Sequence, residues 1–302
     1  MPAKSYIVVG LGEVLWDILP KGKELGGAPA NFAYMTSLLG DKGVVASSVG
    51  RDRLGNAAAR RLLRLGLKTT YIQVDSKHET GTVKVQVESD GQPQFEIIEN
   101  VAWDFFEWTP LWQALAEQVD AVCFGSLAQR APQSRATIRT FLQTVRPTTL
   151  CVFDVNLRQS FYNLETLAES AKHADIMKLN QDELPKVLRI LGGPDAEGEE
   201  AAAWLLKTCA LKLVCLTQGA MGSLLVSAKE AHQHRGFKTI VADTVGAGDA
   251  FTAALVHHYL RGANLEEMNE AANRMGSWVA SQVGATPRAE VKVLESIRGV
   301  KG

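Results

Sequence analysis

The stretch Val241-Ala242-Asp243-Thr244-Val245-Gly246-Ala247-Gly248-Asp249-Ala250-Phe251 joins two segments of different character. Residues 238–241, just before its centre, are favourable to a strand, whereas residues 250–256 are small, mostly apolar and favourable to a helix. Glycines between two such segments are typical of a strand-to-helix turn. The stretch therefore predicts that a helix begins at these glycines.

The first turn of this helix is a candidate anion site. Its backbone N–H groups are unpaired and lie at the positive end of the helix dipole, and Gly246 and Gly248 let an anion approach the backbone closely. Asp249 would repel a resident phosphate unless it took part in chemistry beside a passing one, so we interpret it as a candidate general base. A plain glycine turn in which Asp249 caps the helix is the alternative.

The composition limits the class of protein. The chain has 302 residues, of which 46% are hydrophobic, and this is enough for a large α/β domain with a substantial core. Its 32 basic and 33 acidic residues give a net charge of -1 without a basic block, which argues against nucleic-acid binding and against a polybasic membrane anchor. We therefore expect a small-molecule substrate.

The cysteines and the N-terminus point to the cytoplasm. Cys123, Cys151, Cys209 and Cys215 are scattered without the spacing of a metal site, and most lie in apolar runs. The N-terminal apolar run is too short for a signal peptide, and no segment has the length of a membrane span. We therefore expect buried, unreactive thiols in a cytoplasmic protein.

From residue 107 onward, predicted strands and helices alternate, which indicates a mostly parallel sheet with helices on both faces. Strands are predicted at residues 6–9, 121–124, 150–153, 176–179, 213–216 and 240–241. In such sheets ligands bind at the carboxyl ends of the strands. The polar residues at these ends are therefore site candidates, namely Gly125, Ser126, Asp154, Asn156, Arg158, Asn180, Glu183, Thr217 and Gly219.

Asn180 and Glu183 are three residues apart at a predicted helix start. They could hold a hydrated Mg²⁺, because this ion keeps its waters and needs few direct protein ligands. The same spacing is that of a capping box, and as a spacing it favours the capping box.

The N-terminal segment contains further ligand candidates. Asn31 stands where a helix over residues 32–39 is predicted to begin, so it either caps that helix or presents its amide to a ligand hydroxyl. Asp17, in an apolar segment, is either a ligand contact or part of a surface turn. Gly10 and Gly12 lack the third glycine of a dinucleotide motif, which argues against an oxidoreductase.

Residues 80–97 alternate between apolar and polar side chains around Asp90-Gly91, which predicts a two-stranded hairpin with one apolar face. A lone hairpin is marginally stable in water, so this face must pack on something. A lid over a ligand cleft, a subunit interface and an antiparallel edge of the main sheet are the alternatives.

Three separated stretches resemble the signatures of the ribokinase-like (PfkB) carbohydrate kinases. They are Gly26-Gly27-Ala28-Pro29-Ala30-Asn31-Phe32-Ala33, Asn180-Gln181-Asp182-Glu183 and Asp243-Thr244-Val245-Gly246-Ala247-Gly248-Asp249, in the order of that family. The resemblance implies one ribokinase-like α/β domain over residues 1–302. Its β lid would come mainly from about residues 80–100 and from short segments near residues 12–27, and it often doubles as a homodimer interface.

The resemblance also implies roles at the centre of the site. Asp249 would take the proton from a sugar hydroxyl, and Gly246, Ala247 and Gly248 would form the anion hole for the γ-phosphoryl group of ATP. The residues expected to contact the sugar are Asp17, Gly27, Asn31 and Arg158.

The nucleotide and ion sites are likewise expectations from the family. The expected ATP contacts are Lys178, Asn180, Thr217, Gly219, Gly222 and Asn273. Glu183 and Asn180 would organise Mg²⁺ through water. Asp243 and the backbone of Val245 match the position where many members bind a monovalent cation such as K⁺.

Among the family members, the fructokinases have the sequence most similar to the segment Gly12-Glu13-Val14-Leu15-Trp16-Asp17. The resemblance thus implies an ATP-dependent kinase that converts fructose to fructose 6-phosphate, with a ribokinase, a 2-keto-3-deoxygluconate kinase or a non-catalytic relative as alternatives. Phosphoryl transfer needs mostly positioning and charge stabilisation, so a helix N-terminus, Mg²⁺ and one carboxylate suffice. A P-loop is excluded, because Gly22-Lys23 lacks its upstream glycine.

Overall fold

The computed structural model describes residues 4–19, 22–87 and 93–299. The strands of these residues are β1 (Ile7–Leu11), β2 (Leu15–Leu19), β3 (Gly22–Gly26), β4 (Lys42–Gly50), β5 (Ile72–Asp75), β6 (Gly81–Val87), β7 (Pro93–Ile97), β8 (Ala121–Phe124), β9 (Leu150–Asp154), β10 (Ile176–Asn180), β11 (Leu213–Thr217), β12 (Ser223–Ser227) and β13 (Ala231–His234). The α-helices are α1 (Ala28–Leu38), α2 (Arg53–Arg64), α3 (Pro110–Ala116), α4 (Pro132–Thr144), α5 (Leu164–His173), α6 (Leu184–Leu191), α7 (Gly198–Thr208), α8 (Ala247–Tyr259), α9 (Leu265–Ala280) and α10 (Val291–Arg298).

The larger sheet has the strand order β13-β12-β11-β10-β9-β8-β1-β4-β5. All neighbours from β11 to β5 pair in parallel, whereas β12 and β13 add antiparallel strands at one edge. Because parallel strands point the same way, their carboxyl ends meet at one edge of the sheet. The prediction of a mostly parallel sheet is confirmed.

Helices cover both faces of this sheet. Successive side chains of a strand point to opposite faces. On β1, Val9 packs into an apolar cluster with residues of α4 and α7, and Val8 packs into a second cluster with residues of α1, α8 and α9. The predicted layering is therefore confirmed, and the second cluster places α1 beside α8.

A smaller sheet has the order β3-β2-β6-β7. The predicted hairpin forms β6 and β7, and its expected turn at Asp90-Gly91 lies outside the described residues. Since β6 pairs with β2, the alternative that the hairpin is an edge of the main sheet is wrong. Val83 and Ile97 are buried in the apolar cluster that contains Val9, so the hairpin packs on the core of the domain.

The strand predicted at residues 240–241 is wrong. Ile240 is 92% exposed, and the chain there has no regular structure. The hairpin of β12 and β13 forms this edge of the sheet, beside β11. The N–H of Ala242 instead donates to the carbonyl of Ala280 at the end of α9. The apolar pattern of residues 240–241 favours a strand, but it cannot show whether another strand lies beside them.

The two helices that carry the sequence signatures begin at glycines. α8 begins at Ala247, directly after Gly246, which has the left-handed φ of 79°. This start is confirmed. α1 begins at Ala28 after Gly27, earlier than predicted, so Asn31 lies within its first turn and the alternative that Asn31 caps the helix is wrong. Among the described residues, no helix is both long enough and apolar enough to cross a membrane.

Candidate active site

The first turns of α1 and α8 meet at the carboxyl edge of the main sheet. The Asn31 Nδ2 donates a hydrogen bond to the Asp249 Oδ2 at 2.8 Å, across 218 positions of sequence. Asn31 is buried, whereas the Asp249 side chain is only partly covered. This contact fixes the orientation of the Asp249 carboxylate and leaves part of it open to a ligand.

A small cavity lies beside Asp249. It is lined by two further acidic groups, Glu13 and Asp154, by the aromatic ring of Phe32 and by Asn156. These residues come from the end of β1, the end of β9, the loop after β9 and α1. Polar groups that converge beside apolar walls are typical of a ligand site, and this cavity, of about 20 Å³, has room for a water-sized group only.

The surroundings of Asp249 change its acidity. Burial raises the pKa of Asp249 and the negative charge of Asp154 raises it further, whereas the Asn31 hydrogen bond and the positive charges of Lys178 and Arg158 lower it. The resulting pKa is about 6. A carboxylate with a pKa closer to neutrality is a stronger base than an ordinary aspartate, which suits proton abstraction.

Glu13 is a site residue that was not predicted from the sequence. Its side chain is 4% exposed and lines the same cavity as Asp249. Burial raises the pKa of Glu13 to about 7, with a further contribution from the charge of Asp249 and an opposing one from Arg158. Glu13 follows β1 closely, so the rule that ligands bind at the ends of parallel strands was the signal that could have identified it.

Asp17 and Gly27 lie at the junction of the small sheet and α1. The Asp17 Oδ2 lies against Gly26, because a Cβ on Gly26 would come within 2.5 Å of it. Burial raises the pKa of Asp17 to about 6, the charge of Glu24 adds to this, and Arg158 opposes it. Gly27 has a φ of 107°, and a Cβ there would meet the carbonyl of Glu13 at 2.4 Å. The protein itself therefore fills the space that these glycines leave.

Arg158 is exposed on the loop that follows β9. Its positive charge acts on Glu13, Asp17 and Asp249, so it faces the same acidic group of side chains. Asn156 and Gln159 in this loop have the left-handed φ values of 43° and 48°. Such conformations are strained for residues other than glycine and concentrate at functional sites. The expected sugar residues are thus close together, and their contacts with a sugar stay predictions.

The first turn of α8 has free donors. The Ala247 N–H donates to the Thr244 carbonyl at 3.2 Å. The N–H groups of Gly248 and Asp249 have no acceptor within the described chain. The donors available to an anion are therefore those of Gly248 and Asp249, while Gly246 provides the left-handed turn that exposes them.

A second and larger cleft, of about 810 Å³, lies on the other side of this turn. Its volume is within the range of roughly 300–1,000 Å³ that is typical of ligand pockets. Its lining includes the expected nucleotide residues Asn180, Thr217, Gly219, Gly222 and Asn273, together with Gly248. The irregular segment 235–239 also lines it, which was not predicted because residues 238–241 were expected to form a strand.

Asn273 is buried inside α9 rather than exposed. Its Nδ2 donates to the Ser223 Oγ at 2.7 Å and to the Asn269 carbonyl at 2.8 Å. Because both partners accept, the amide orientation is fixed, and the side chain is held at the wall of the larger cleft.

Lys178 lies behind the cleft. It is not among the described residues that line the cleft, and its Nζ donates to the Asp154 Oδ1 at 3.0 Å. Burial lowers the pKa of Lys178, but the charges of Asp154, Glu183 and Asp249 outweigh burial and raise the pKa above its usual value. The ammonium group therefore stays charged, and its expected contact with ATP stays a prediction.

Asn180 and Glu183 form the reciprocal pair of a capping box. The Glu183 N–H donates to the Asn180 Oδ1, and the Asn180 N–H donates to the Glu183 Oε2, both at 2.9 Å. The Glu183 Oε1 accepts from the Leu157 N–H at 2.7 Å. In the described chain, no three or more His, Cys, Asp or Glu side chains are grouped to hold a metal ion. A carboxylate has about four acceptor sites, so Glu183 can still receive hydrogen bonds from the waters of a hydrated ion.

Asp243 joins the turn before α8 to the loop after α9. Its Oδ1 accepts from the Val245 N–H at 3.0 Å, and its Oδ2 accepts from the Gly284 N–H at 3.1 Å. The monovalent cation expected at Asp243 and the Val245 backbone stays a prediction.

Known proteins are similar to this chain in sequence and in fold. Residues 22–292 match the model of the pfkB family carbohydrate kinases. An uncharacterized sugar kinase of Pyrococcus horikoshii is 30% identical over 305 residues, which cover 94% of this chain and 94% of that protein. Its crystal structure in complex with ATP has a TM-score of 0.79 and 28% identity, and the match covers 93% of this chain and 94% of that chain.

Two fructokinases are also similar. The fructokinase of Escherichia coli is 30% identical over 270 residues, which cover 85% of this chain and 84% of that protein. A double-mutant fructokinase of Vibrio cholerae, crystallised with fructose, ADP and a potassium ion, has a TM-score of 0.80 with 22% identity, covering 97% of this chain and 98% of that chain. This last likeness is one of fold.

Proposed function

The chain belongs to the pfkB family of carbohydrate kinases, and from that premise we propose that it transfers the γ-phosphoryl group of ATP to the 6-hydroxyl of fructose. Family membership makes it a sugar kinase, a phosphotransferase with an alcohol group as acceptor. The main support for the full proposal is the position of one helix turn between two cavities. Asp249 lines the small cavity and Gly248 lines the larger cleft.

The two cavities suggest how the substrates are arranged. The sugar binds among Glu13, Asp17, Asn31 and Arg158, with its primary hydroxyl at Asp249. ATP binds in the larger cleft, with its terminal phosphate at the Gly248 and Asp249 N–H groups. Such a turn suits an anion, because its unpaired donors and the helix dipole both favour negative charge.

In the reaction, Asp249 accepts the proton of the primary hydroxyl as the hydroxyl oxygen bonds to the γ-phosphorus, and ADP leaves. The Asn31 hydrogen bond holds the carboxylate in place for this transfer. The N–H groups at the start of α8 stabilise the charge on the transferred group, which is the main catalytic need of phosphoryl transfer.

The ions of the family fit the residues present. Asn180 lines the larger cleft and is hydrogen-bonded to Glu183, and these two residues would hold Mg²⁺ through its waters, while Asp243 and the Val245 backbone would hold K⁺. Bound Mg²⁺ neutralises charge on the phosphates. The Pyrococcus horikoshii sugar kinase was crystallised with ATP, which supports the nucleotide assignment, and the Vibrio cholerae fructokinase was crystallised with ADP and a potassium ion, which supports the potassium assignment.

Fructose is proposed over other sugars on the sequence evidence. The Escherichia coli fructokinase is among the relatives that are 30% identical, and the segment from Gly12 to Asp17 is most similar to that of fructokinases. A non-catalytic binding protein is disfavoured, because it would have no need of a base beside an intact anion site. A homodimer formed through the small sheet, and a cytoplasmic location, stay predictions.

The substrate proposal is tested by ADP release from the purified chain with ATP and Mg²⁺, over fructose, ribose, 2-keto-3-deoxygluconate and nucleosides. We expect the highest kcat/KM for fructose and a product phosphorylated at its 6-hydroxyl. A higher kcat/KM for ribose or for 2-keto-3-deoxygluconate would replace fructose by that sugar, and no ADP release with any sugar would contradict the kinase proposal.

The acidity of Asp249 predicts the pH dependence of turnover. Its pKa is raised to about 6 and only the ionised form accepts a proton, so activity is present above that pH and is lost as the pH falls through it. Below this limit kcat/KM should fall about tenfold per pH unit, because kcat/KM reports the pKa values of the free enzyme. The measurement is kcat/KM against pH, and an acid limit near the ordinary aspartate value of about 4 would contradict it.

A further inference from the structure

Three polar side chains are buried together behind the first turn of α8. The Lys178 Nζ donates to the Asp154 Oδ1 at 3.0 Å, and the Thr252 hydroxyl donates to the Asp154 Oδ2 at 3.0 Å. The side chains of Lys178 and Asp154 are 8% and 7% exposed, and Thr252 is fully buried. The roles expected from the family resemblance do not include Asp154 or Thr252.

Thr252 connects Asp154 to the proposed anion site. It lies one turn after Gly248 on α8, and its hydroxyl oxygen is 2.9 Å from the Gly248 carbonyl. The hydroxyl has one hydrogen, and the charged Asp154 is the stronger acceptor. The end of β9 is thereby hydrogen-bonded to the turn that presents Gly248 and Asp249.

Lys178 brings a positive charge to the same turn. A Cβ on Gly248 would lie 3.1 Å from the Lys178 Nζ, so the ammonium group lies beside Gly248, on the side from which a side chain would project. The pair therefore places one positive and one negative charge beside the carboxylate of Asp249 and the free N–H groups.

Stability alone is a weak reason for such a pair. The cost of removing two charges from water often equals or exceeds their attraction, and apolar residues of similar size are frequently as stable. A function in the reaction accounts for the pair, because Asp249 must be ionised and correctly placed in order to act.

We propose that Asp154 and Lys178 are positioning residues, which hold the first turn of α8 through Thr252. Their opposite charges also balance the charge at Asp249. This inference rests on the proposed function of Asp249 as the base. It adds that Asp154 on β9 and Lys178 on β10 set the charge at that base.

The groups that face Asp249 come from every element around it. They are Asn31 on α1, Glu13 after β1, Cys123 on β8, Asp154 on β9, Arg158 on the loop after β9 and Lys178 on β10. Among these, the charge of Asp154 raises the pKa of Asp249 and the charge of Lys178 lowers it. Removing one charge at a time should therefore move the acid limit of activity in opposite directions.

The test compares pH profiles of kcat/KM for Asp154→Asn and Lys178→Met with that of the wild type. Asp154→Asn removes a negative charge, so its acid limit should move to lower pH. Lys178→Met removes a positive charge, so its acid limit should move to higher pH, each by about one pH unit. A purely structural ion pair would reduce kcat in both variants without shifting the limit in either.

Further variants separate charge from position. Thr252→Val keeps the shape and the charge but removes the hydrogen bond to Asp154, so kcat should fall roughly tenfold with an unchanged KM for the sugar and an unchanged acid limit. Lys178→Arg keeps the positive charge, so its acid limit should match the wild type. If Lys178→Met does not fold, the acid limit of Asp154→Asn and the kcat of Thr252→Val still test the proposal.

Two outcomes overturn the inference. One is an acid limit in Asp154→Asn that is unchanged or higher, and the other is a wild-type kcat in Thr252→Val. Either would leave the kinase proposal intact, because the wild-type chain would still phosphorylate a sugar. Failure of the wild type to release ADP with any sugar would instead contradict the proposed function itself.

Discussion

Replacing Asp249 with asparagine is expected to lower kcat by a factor of about 10²–10⁴, the usual contribution of a general base. The substitution keeps the shape of the side chain, and its amide oxygen can still accept the hydrogen bond of Asn31. The sugar pocket should therefore stay formed. What is lost is the ability to take the proton from the primary hydroxyl at the moment of transfer.

The measurement separates catalysis from binding. Steady-state kinetics with fructose and ATP give kcat, and calorimetry or fluorescence titration gives the affinity for fructose, which should change little in Asp249→Asn. Asp195→Asn makes the same chemical change in the exposed loop between α6 and α7, so it should keep the wild-type kcat. Wild-type turnover in Asp249→Asn would show that another group is the base, and Glu13 would be the first to consider.

The centre of the site could be predicted from the sequence, because its residues are neighbours along the chain. Gly246, Gly248 and Asp249 lie within one turn, so the same few residues determine where α8 begins, expose its N–H groups and place the carboxylate. The strand ends could also be predicted, since buried parallel strands have continuous apolar runs. These features depend on neighbours in sequence, and the structure confirms the helix start and the parallel strands.

The features of the fold and of the site that could not be predicted depend on packing between segments that are distant in sequence. Residues 240–241 have an apolar pattern but no neighbouring strand, and no local signal reveals this. The sequence places Lys178 at a strand end but does not show that its side chain turns to Asp154, away from the cleft. Glu13 lies beside residues of α1 in the small cavity, and its burial results from packing between segments that are distant in sequence. The direction of a side chain at a strand end is decided by what packs against it.

Replacing Gly246 with alanine is expected to have the second large effect, a fall in kcat of about 10²–10³, similar to the loss of an oxyanion-hole donor. Gly246 has a φ of 79°, and a Cβ there would lie 2.7 Å from the Ala285 Cβ and 2.8 Å from its Cα. Backbone and a methyl group cannot rotate away from this contact. The first turn of α8 must therefore move, and the Gly248 and Asp249 N–H groups lose their alignment with the transferred group.

Gly262→Ala is the matched control for backbone strain. Gly262 follows the end of α8 with a φ of 74°, and a Cβ there would have no atom within 4 Å. Both variants place alanine in a left-handed conformation, which costs about 1–2 kcal/mol of stability. Only Gly246→Ala adds a clash at the proposed anion site. With kcat measured per folded molecule, below the melting temperature of both variants, Gly262→Ala should match the wild type. A kcat of Gly246→Ala equal to that of Gly262→Ala would mean that the start of α8 does not stabilise the transferred phosphoryl group.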